Sequence, residues 1–527
     1  MNPTQDKTFR ELVWFSSNRQ LIFNLLLIGG FLLFFGNADG QLLLTPYIQA
    51  GRMDEARDAS RVSNLSTNFD IESYSGFITI NEELSSNIFF WYFPPSASED
   101  AESAAVILWL QGGPGLSMQS LIFTANGPFI IQSDLTLQLR NESWVSTNHL
   151  IYIDSPVGTG FSYVNSTQHH EDSCAESGAN DYYNATGYDI NANETAEGTY
   201  VFLTQFFTLF PNLYKNPFFV GGVSYGGHFV PALAYKIHTQ NRKQESNLRL
   251  NLRGLILESP FIEAQTQLPV LGEYLHCHGV IDEISKRHID SEMTEIINMI
   301  DQERFDDAHK ILIPLFMSEH SFFNTQTAFE SMAVYNHYDD VLPSDYYLYR
   351  DFLCLDLTRE TIHVGNLTFC DNNDNIYYRF ANDIFVSYRS ILEALVEADE
   401  GYRIVIYAGQ LDIMTTFLGI ENMIRNMNWS GKDEFFSGSV RKRPWVLKNE
   451  DGREYSAGFV KTFKNFSYVL VRNAGHLISK DRTAWTLDLV NRITKDIPFE
   501  QAPEDSHLIQ GDPTSNVIVD TDDTDYF

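Results

Sequence analysis

Three residues of the types that make a hydroxyl reactive stand just beyond apolar runs: Ser224, Asp412 and His476. A serine hydroxyl is a weak nucleophile until an imidazole takes its proton, and the imidazole needs a carboxylate to fix its tautomer and stabilise its charged form. Ser224 lies in Gly222-Val223-Ser224-Tyr225-Gly226, after the apolar run Phe218-Phe219-Val220 and before Pro231-Ala232-Leu233-Ala234-Tyr235-Lys236-Ile237. The run reads as a buried strand and the later segment as a helix packed on it, which puts the serine at a sharp strand-to-helix turn. A turn that tight has no room for a Cβ two residues to either side, so glycine is expected at both places. Acyl transfer also needs donors for a developing oxyanion. The loop Gln111-Gly112-Gly113-Pro114-Gly115 leaves the apolar run 105–110 and exposes backbone N–H groups. Gly113 is the candidate for one donor and the N–H of Tyr225 for the other, with a plain tight turn as the alternative reading of the glycine pair.

The elements that must hold these groups alternate along the chain. Residues 74–80 and 87–93 read as a hairpin rich in β-branched and aromatic side chains. The apolar run at 105–110 reads as a strand covered on both faces, 149–153 and 252–257 as further strands, and 197–210 as an amphipathic helix. From about 260 to 375 the pattern turns helical, with Ile289, Met293, Ile296, Ile297 and Ile300 at helical spacing and no convincing strand. A helix at 384–398, strands at 403–407 and 468–472, and a helix at 483–494 follow. Alternating strands and helices imply a parallel sheet, whose carboxyl-end loops share one rim. Alone, Asp412 also suits a helix N-cap before 414–427, and His476 is one of 14 histidines. Together with Ser224 they fall at three strand ends in the order Ser, Asp, His, which is the order of the α/β hydrolases. The expected fold is therefore α/β, an α/β-hydrolase with a central, mostly parallel sheet and a mainly helical insertion. Its parts are a hydrolase core at 39–259 and 376–499 and the insertion at 260–375.

The chain of 527 residues has a formal net charge of -33 and a pI near 4.7, which excludes a nucleic-acid partner because phosphate backbones need basic surfaces. Residues 21–35 form an apolar run behind Arg10 and Arg19, followed by Gly36-Asn37-Ala38. Residues 1–38 read as a secretory signal peptide, or as a signal anchor if the run stays uncleaved, the one route to a membrane. Eight sequons, at Asn64, Asn141, Asn165, Asn184, Asn193, Asn366, Asn428 and Asn465, are glycosylation candidates and point to the secretory pathway, secreted or endolysosomal. Four cysteines, Cys174, Cys277, Cys354 and Cys370, allow three pairings; Cys354 with Cys370 closes the shortest loop and is the preferred one. No C-x-x-C or H-E-x-x-H spacing occurs, and neither a metal nor a cofactor is expected. Residues 500–527 lack Lys and Arg and read as a disordered acidic tail.

Over about residues 44–499 the chain resembles the serine carboxypeptidases, and within them the vitellogenic carboxypeptidase-like branch. The resemblance rests on Trp109-Leu110-Gln111-Gly112-Gly113-Pro114-Gly115, on Tyr152-Ile153-Asp154-Ser155-Pro156-Val157-Gly158-Thr159-Gly160-Phe161-Ser162, on the Ser224 turn, on Gly409-Gln410-Leu411-Asp412 and on Gly475-His476. It implies a serine-type carboxypeptidase that hydrolyses C-terminal peptide bonds through an acyl-enzyme. Ser224, Asp412 and His476 would form its triad, and Gly113 and Tyr225 would donate to the oxyanion. Trp109, Gln111 and Gly112 would contact substrate, and the insertion would form a lid.

The chain also departs from the family pattern. Family members resemble one another in binding the substrate carboxylate with two glutamates that share a proton, one just before the nucleophile and one in an E-x-G-P segment. Here Val223 and Ala125-Asn126-Gly127-Pro128 stand in those places, Glu258-Ser259-Pro260 replaces a Gly-Asn-Gly, and no proline follows His476 within Leu477-Ile478-Ser479-Lys480. The substitutions touch specificity and leave the acyl-transfer groups in place. Two alternatives follow: an esterase, amidase or acyltransferase that needs no free substrate carboxylate, or a weakly active binding or storage protein. His228, four residues past Ser224, reads as a helix-surface histidine, with a positive charge at acidic pH as the other option.

Overall fold

The apolar runs assemble into one large sheet. Tyr74–Asn81 (β1) and Ser86–Phe93 (β2) form a hairpin, Val106–Leu110 (β3) follows, and Phe129–Ile131 (β4) pairs with Leu137–Leu139 (β5) in a small hairpin of its own. The remaining strands are His149–Ile153 (β6), Tyr163–Val164 (β7), Phe218–Val223 (β8), Leu252–Glu258 (β9), Arg403–Gly409 (β10), Arg443–Lys448 (β11), Glu454–Phe463 (β12) and Phe466–Val471 (β13). The computed structural model describes residues 40–499 except 67, 70, 97–100, 165–185, 244–248, 319, 330–344 and 450–451. The readings of 1–38 as a leader, of 500–527 as a tail, and of Asn165, Asn184 and Cys174 fall outside the described residues.

The 11-stranded sheet runs β1-β2-β6-β3-β8-β9-β10-β13-β12-β11, with β7 beside β2. The six strands from β6 to β13 in this order are parallel, and antiparallel strands flank them on both sides. Every residue of β3, β6 and β8 is buried, as continuous apolar runs require when both faces of a parallel sheet are covered. The helices Ala192–Leu209 and Gly226–Asn241 cover one face through Phe202, Phe206, Val230 and Leu233. The helix Thr483–Lys495 covers the other through Leu489, Val490 and Ile493. This is the α/β-hydrolase fold.

Between β9 and β10 the described residues contain helices and turns but no strand. The longest, Glu283–Ile300, is capped by Asp282 and buries Ile289, Met293, Ile296 and Ile300 at the expected spacing, while Ile297 is half-buried. A segment of this insertion ties down two loops of the rim. Ser117 N–H donates to Asp371 O at 2.8 Å, Asn373 N–H to Gly115 O at 3.0 Å, and Asn373 Nδ2 to Gly158 O at 2.7 Å.

Several elements differ from the sequence expectation. β11 and β12 carry charged, half-exposed residues at the sheet edge, so they lack the apolar run that marks the central strands. The helix expected at 384–398 is split into Asp383–Phe385 and Arg389–Val396 by the extended backbone at Val386. The preferred disulfide is not formed: Cys354 has a free, exposed thiol, whereas Cys370 is disulfide-bonded elsewhere. Cys370 is buried and its backbone pairs with Gly160, while Cys354 ends a helix whose buried face is Tyr349, Phe352 and Leu353. Among the sequons, Asn64, Asn141, Asn193, Asn366 and Asn428 are exposed. Asn465 is half-buried and its amide donates to Val396 O and Tyr402 O, bonds that a glycan on that nitrogen would disrupt.

Candidate active site

Ser224 sits between β8 and the helix Gly226–Asn241 with φ at 60°, in the left-handed region that costs a non-glycine residue about 1–3 kcal/mol. Its backbone hydrogen bonds hold it there. Its N–H donates to Glu258 O at 3.0 Å, and its carbonyl accepts from Phe261 N–H at 2.8 Å and Gly227 N–H at 2.9 Å.

His476 and Asp412 meet on the same rim. His476 Nδ1 lies 2.9 Å from Asp412 Oδ2, and both residues are buried. Asp412 is held by its own loop: Oδ1 accepts from Met414 N–H at 2.8 Å and from Thr415 N–H at 3.1 Å. Thr415 Oγ1 lies 2.8 Å from Asp412 Oδ2, 2.8 Å from Ser259 O and 3.2 Å from His476 Nδ1. Through Ser259 and its neighbour Glu258, Thr415 links the Asp412–His476 pair to the segment that holds Ser224. Asp412 does not cap the following helix; that helix is Phe417–Asn426, and Thr416 is its N-cap.

The electrostatics suit a charged pair. Burial works against the Asp412 carboxylate, but the charge and hydrogen bond of His476, with the donors of its own loop, hold its pKa below the ordinary value. Burial likewise opposes a charged His476, and the negative charge of Asp412 outweighs it, so the His476 pKa is raised. An imidazolium formed during proton transfer is stabilised where it appears.

The glycine loop after β3 lies directly on Ser224. A Cβ on Gly112 would fall 2.7 Å from Ser224 Cβ, 2.7 Å from Tyr225 N and 2.9 Å from Val223 O, distances that no side chain tolerates. Among the described residues neither Gly113 N–H nor Tyr225 N–H donates to a protein acceptor. Tyr225 is anchored by its phenol, which donates to Asp383 Oδ2 at 2.6 Å; the same carboxylate accepts from Ala192 N–H and Tyr388 OH. Gly112→Ala is expected to push the loop off Ser224 and lower kcat about 10²-fold, the typical cost of one misplaced oxyanion donor, with a much smaller change in KM. Steady-state kinetics on the purified variant checks this.

The other residues singled out from sequence lie below the rim. Trp109 is fully buried, edge-on to Trp144 with ring centroids 4.8 Å apart, so its ring offers no surface to a substrate and braces the core instead. Gln111 is almost fully buried and accepts from Gly112 N–H through Oε1 at 3.1 Å, which supports the loop. Val223 and Ala125 are both fully buried among apolar side chains. His228 is not on the helix surface. It is buried against the Tyr225 ring, donates through Nδ1 to Phe261 O at 2.8 Å, and burial lowers its pKa, which disfavours a charged ring. Sequence reasoning missed Thr415, Asp383 and Tyr388. Thr415 is detectable from its place three residues after Asp412, but Asp383 reaches Tyr225 across 158 residues, with Tyr388 donating to the same carboxylate, and the pair leaves no local signal.

The serine carboxypeptidase family matches residues 64–496. The human probable serine carboxypeptidase CPVL is 33% identical over 461 residues, covering 87% of this chain and 90% of that protein. The vitellogenic carboxypeptidase of Aedes aegypti is 33% identical over 464 residues, covering 87% and 91%. Among solved structures, the chain is similar in fold to Kex1, a prohormone-processing carboxypeptidase of Saccharomyces cerevisiae. That match has a TM-score of 0.72 at 23% identity and covers 84% of this chain and 96% of that one.

Proposed function

The chain belongs to the serine carboxypeptidase family, and from that premise we propose that it is a serine-type carboxypeptidase, removing residues from the carboxyl end of a peptide through an acyl-enzyme. The observation that carries the reading is the Asp412–His476 pair, joined through Thr415 and Ser259 to the segment that holds Ser224 at φ 60°. Ser224 Oγ attacks the scissile carbonyl while His476 Nε2 takes its proton. The oxyanion settles against Gly113 N–H and Tyr225 N–H. His476 then gives the proton to the leaving amine, and water attacks the acyl-enzyme with His476 again acting as base. The apolar leader and the exposed sequons support a place in the secretory pathway, secreted or endolysosomal.

Substrate choice is a separate question from chemistry. Val223 and Ala125, fully buried and apolar, supply no carboxyl to share a proton with a substrate carboxylate, and this favours a second reading, in which an ester or amide without a free carboxylate is taken. Paired assays from pH 4 to 8 separate the two readings. On the first, a peptide with a free C-terminus is trimmed at least ten times faster than its amide. On the second, a blocked ester outruns the free-acid peptide, and Val223→Glu loses the ester activity more than the peptide activity.

A further inference from the structure

Glu258 is the last residue of β9 and the register partner of both Val223 on β8 and Tyr407 on β10. Its side chain is fully buried, and among the described residues no Lys or Arg forms an ion pair with it. Three donors converge on the carboxyl instead. Ser479 N–H and Ser479 Oγ donate to Oε1 at 2.9 and 3.1 Å, and Tyr407 OH donates to Oε2 at 2.8 Å. Ser479 lies three residues past His476, and the backbone carbonyl of Glu258 accepts the N–H of Ser224. One residue thus grips the nucleophile with its main chain and the histidine loop with its side chain.

We propose that Glu258 is a positioning residue of the acyl-transfer reaction, one that ties the His476 loop to the Ser224 turn and whose charge sets the pH at which His476 becomes a base. The inference rests on the reading of Ser224 and His476 as nucleophile and base. A buried carboxylate without a cation is costly, and a carboxylic acid in the same place donates rather than only accepts, so the local geometry depends on its proton. Burial pushes the Glu258 pKa up to about 7, with the Ser479 and Tyr407 donors and the charge of His476 restraining the rise.

Other titratable groups act on the pair. Tyr407 from β10 touches Glu258, with its phenol held neutral by burial and by the carboxyl itself. Asp412 and Asp481 join Glu258 in favouring the charged form of His476, and Asp481 also accepts from Gly475 N–H at 2.7 Å. β8 brings only Val223 and the backbone of Ser224. When Glu258 ionises, it adds negative charge beside His476 and raises the pKa of the imidazole; when it is neutral, that support is lost. The two groups therefore titrate as a coupled pair.

The test compares the full-length protein with Glu258→Gln, which keeps the size and an acceptor for Ser479, and with Tyr407→Phe, which removes one donor and keeps the carboxyl neutral to higher pH. The imidazole of His476 is titrated by NMR, and the rate of Ser224 labelling by a fluorophosphonate is followed from pH 4 to 9. Both variants should lower the His476 midpoint, Glu258→Gln by about 0.5–1 unit, with the acid limb of labelling moving by the same amount. Midpoints that stay fixed in the folded variants overturn the proposal, even if labelling slows, since slowing alone is what a packing role gives. A His476 midpoint that shifts as expected from wild type to the variants, with Ser224 of wild type left unlabelled, supports the coupling and overturns the nucleophile assignment.

Discussion

Ser224→Ala is expected to lower kcat about 10⁶-fold, to the level left by binding and the oxyanion donors alone. The expectation is large because every other group is held independently of the hydroxyl. Asp412 is fixed by Met414 N–H and Thr415 N–H, and His476 by Asp412. The turn itself is held by the Ser224 main chain, through Glu258 O, Phe261 N–H and Gly227 N–H. Alanine keeps those bonds and meets the same cost at positive φ as serine, so stability should change by less than about 1 kcal/mol. Kinetics on the best substrate, intact mass after fluorophosphonate treatment and a thermal melt check the three parts. Residual turnover above 1% of wild type would assign the reaction to another nucleophile, and a collapse of the melt would mean that the hydroxyl supports the fold.

The placement of Ser224, Asp412 and His476 was more legible in the sequence than the contacts that support them, and the reason is geometric. A parallel sheet delivers the carboxyl ends of its strands to one rim, so Ser224, Asp412 and His476 can be placed together from strand order alone. The glycines of the turn are a partial success. A Cβ on Gly222 would meet Leu110 O at 2.8 Å, as expected, but one on Gly226 would meet only Leu110 O at an ordinary 3.5 Å. The close approach falls instead at Gly227, where a Cβ would come within 2.2 Å of Phe261 O. His228 was misplaced because its helix is covered on the side away from the sheet as well, by Phe261 and Tyr388. Trp109 lies inside because residues of a central strand point into one core or the other. Loop length could not decide the cysteine pairing, since Cys354 and Cys370 belong to differently packed segments. Glu258 was visible only as a departure from a pattern; its partners come from β10 and from beyond β13.

Asp412→Asn should lower kcat about 10⁴-fold while leaving the fold intact, because it reverses the polarity of a single contact. The amide oxygen will stay where Oδ1 accepts from Met414 N–H and Thr415 N–H, since the amide nitrogen cannot accept there. The NH₂ group then occupies the Oδ2 position, 2.9 Å from His476 Nδ1, and donor faces donor. His476 escapes by placing its proton on Nε2, the nitrogen that must be bare to receive the proton of Ser224. The stability of the pair has its own pH signature. The Asp412 pKa is depressed below 3.8, so its contribution is present above that value and lost as pH falls through the folded pKa. The His476 pKa is raised above 6.5, so its contribution is complete below that value and lost as pH rises through the folded pKa. The pair therefore stabilises the protein most between about pH 4 and 6.5, whereas catalysis needs a neutral imidazole and improves above that window. Melts of wild type and Asp412→Asn should diverge more at pH 5 than at pH 8, and the activity ratio should stay near 10⁴ at pH 8, where His476 is more neutral than at pH 5 and its wrong tautomer is what limits the variant. A stability difference that does not change with pH would mean that the carboxylate and the imidazole do not exchange charge across their 2.9 Å contact.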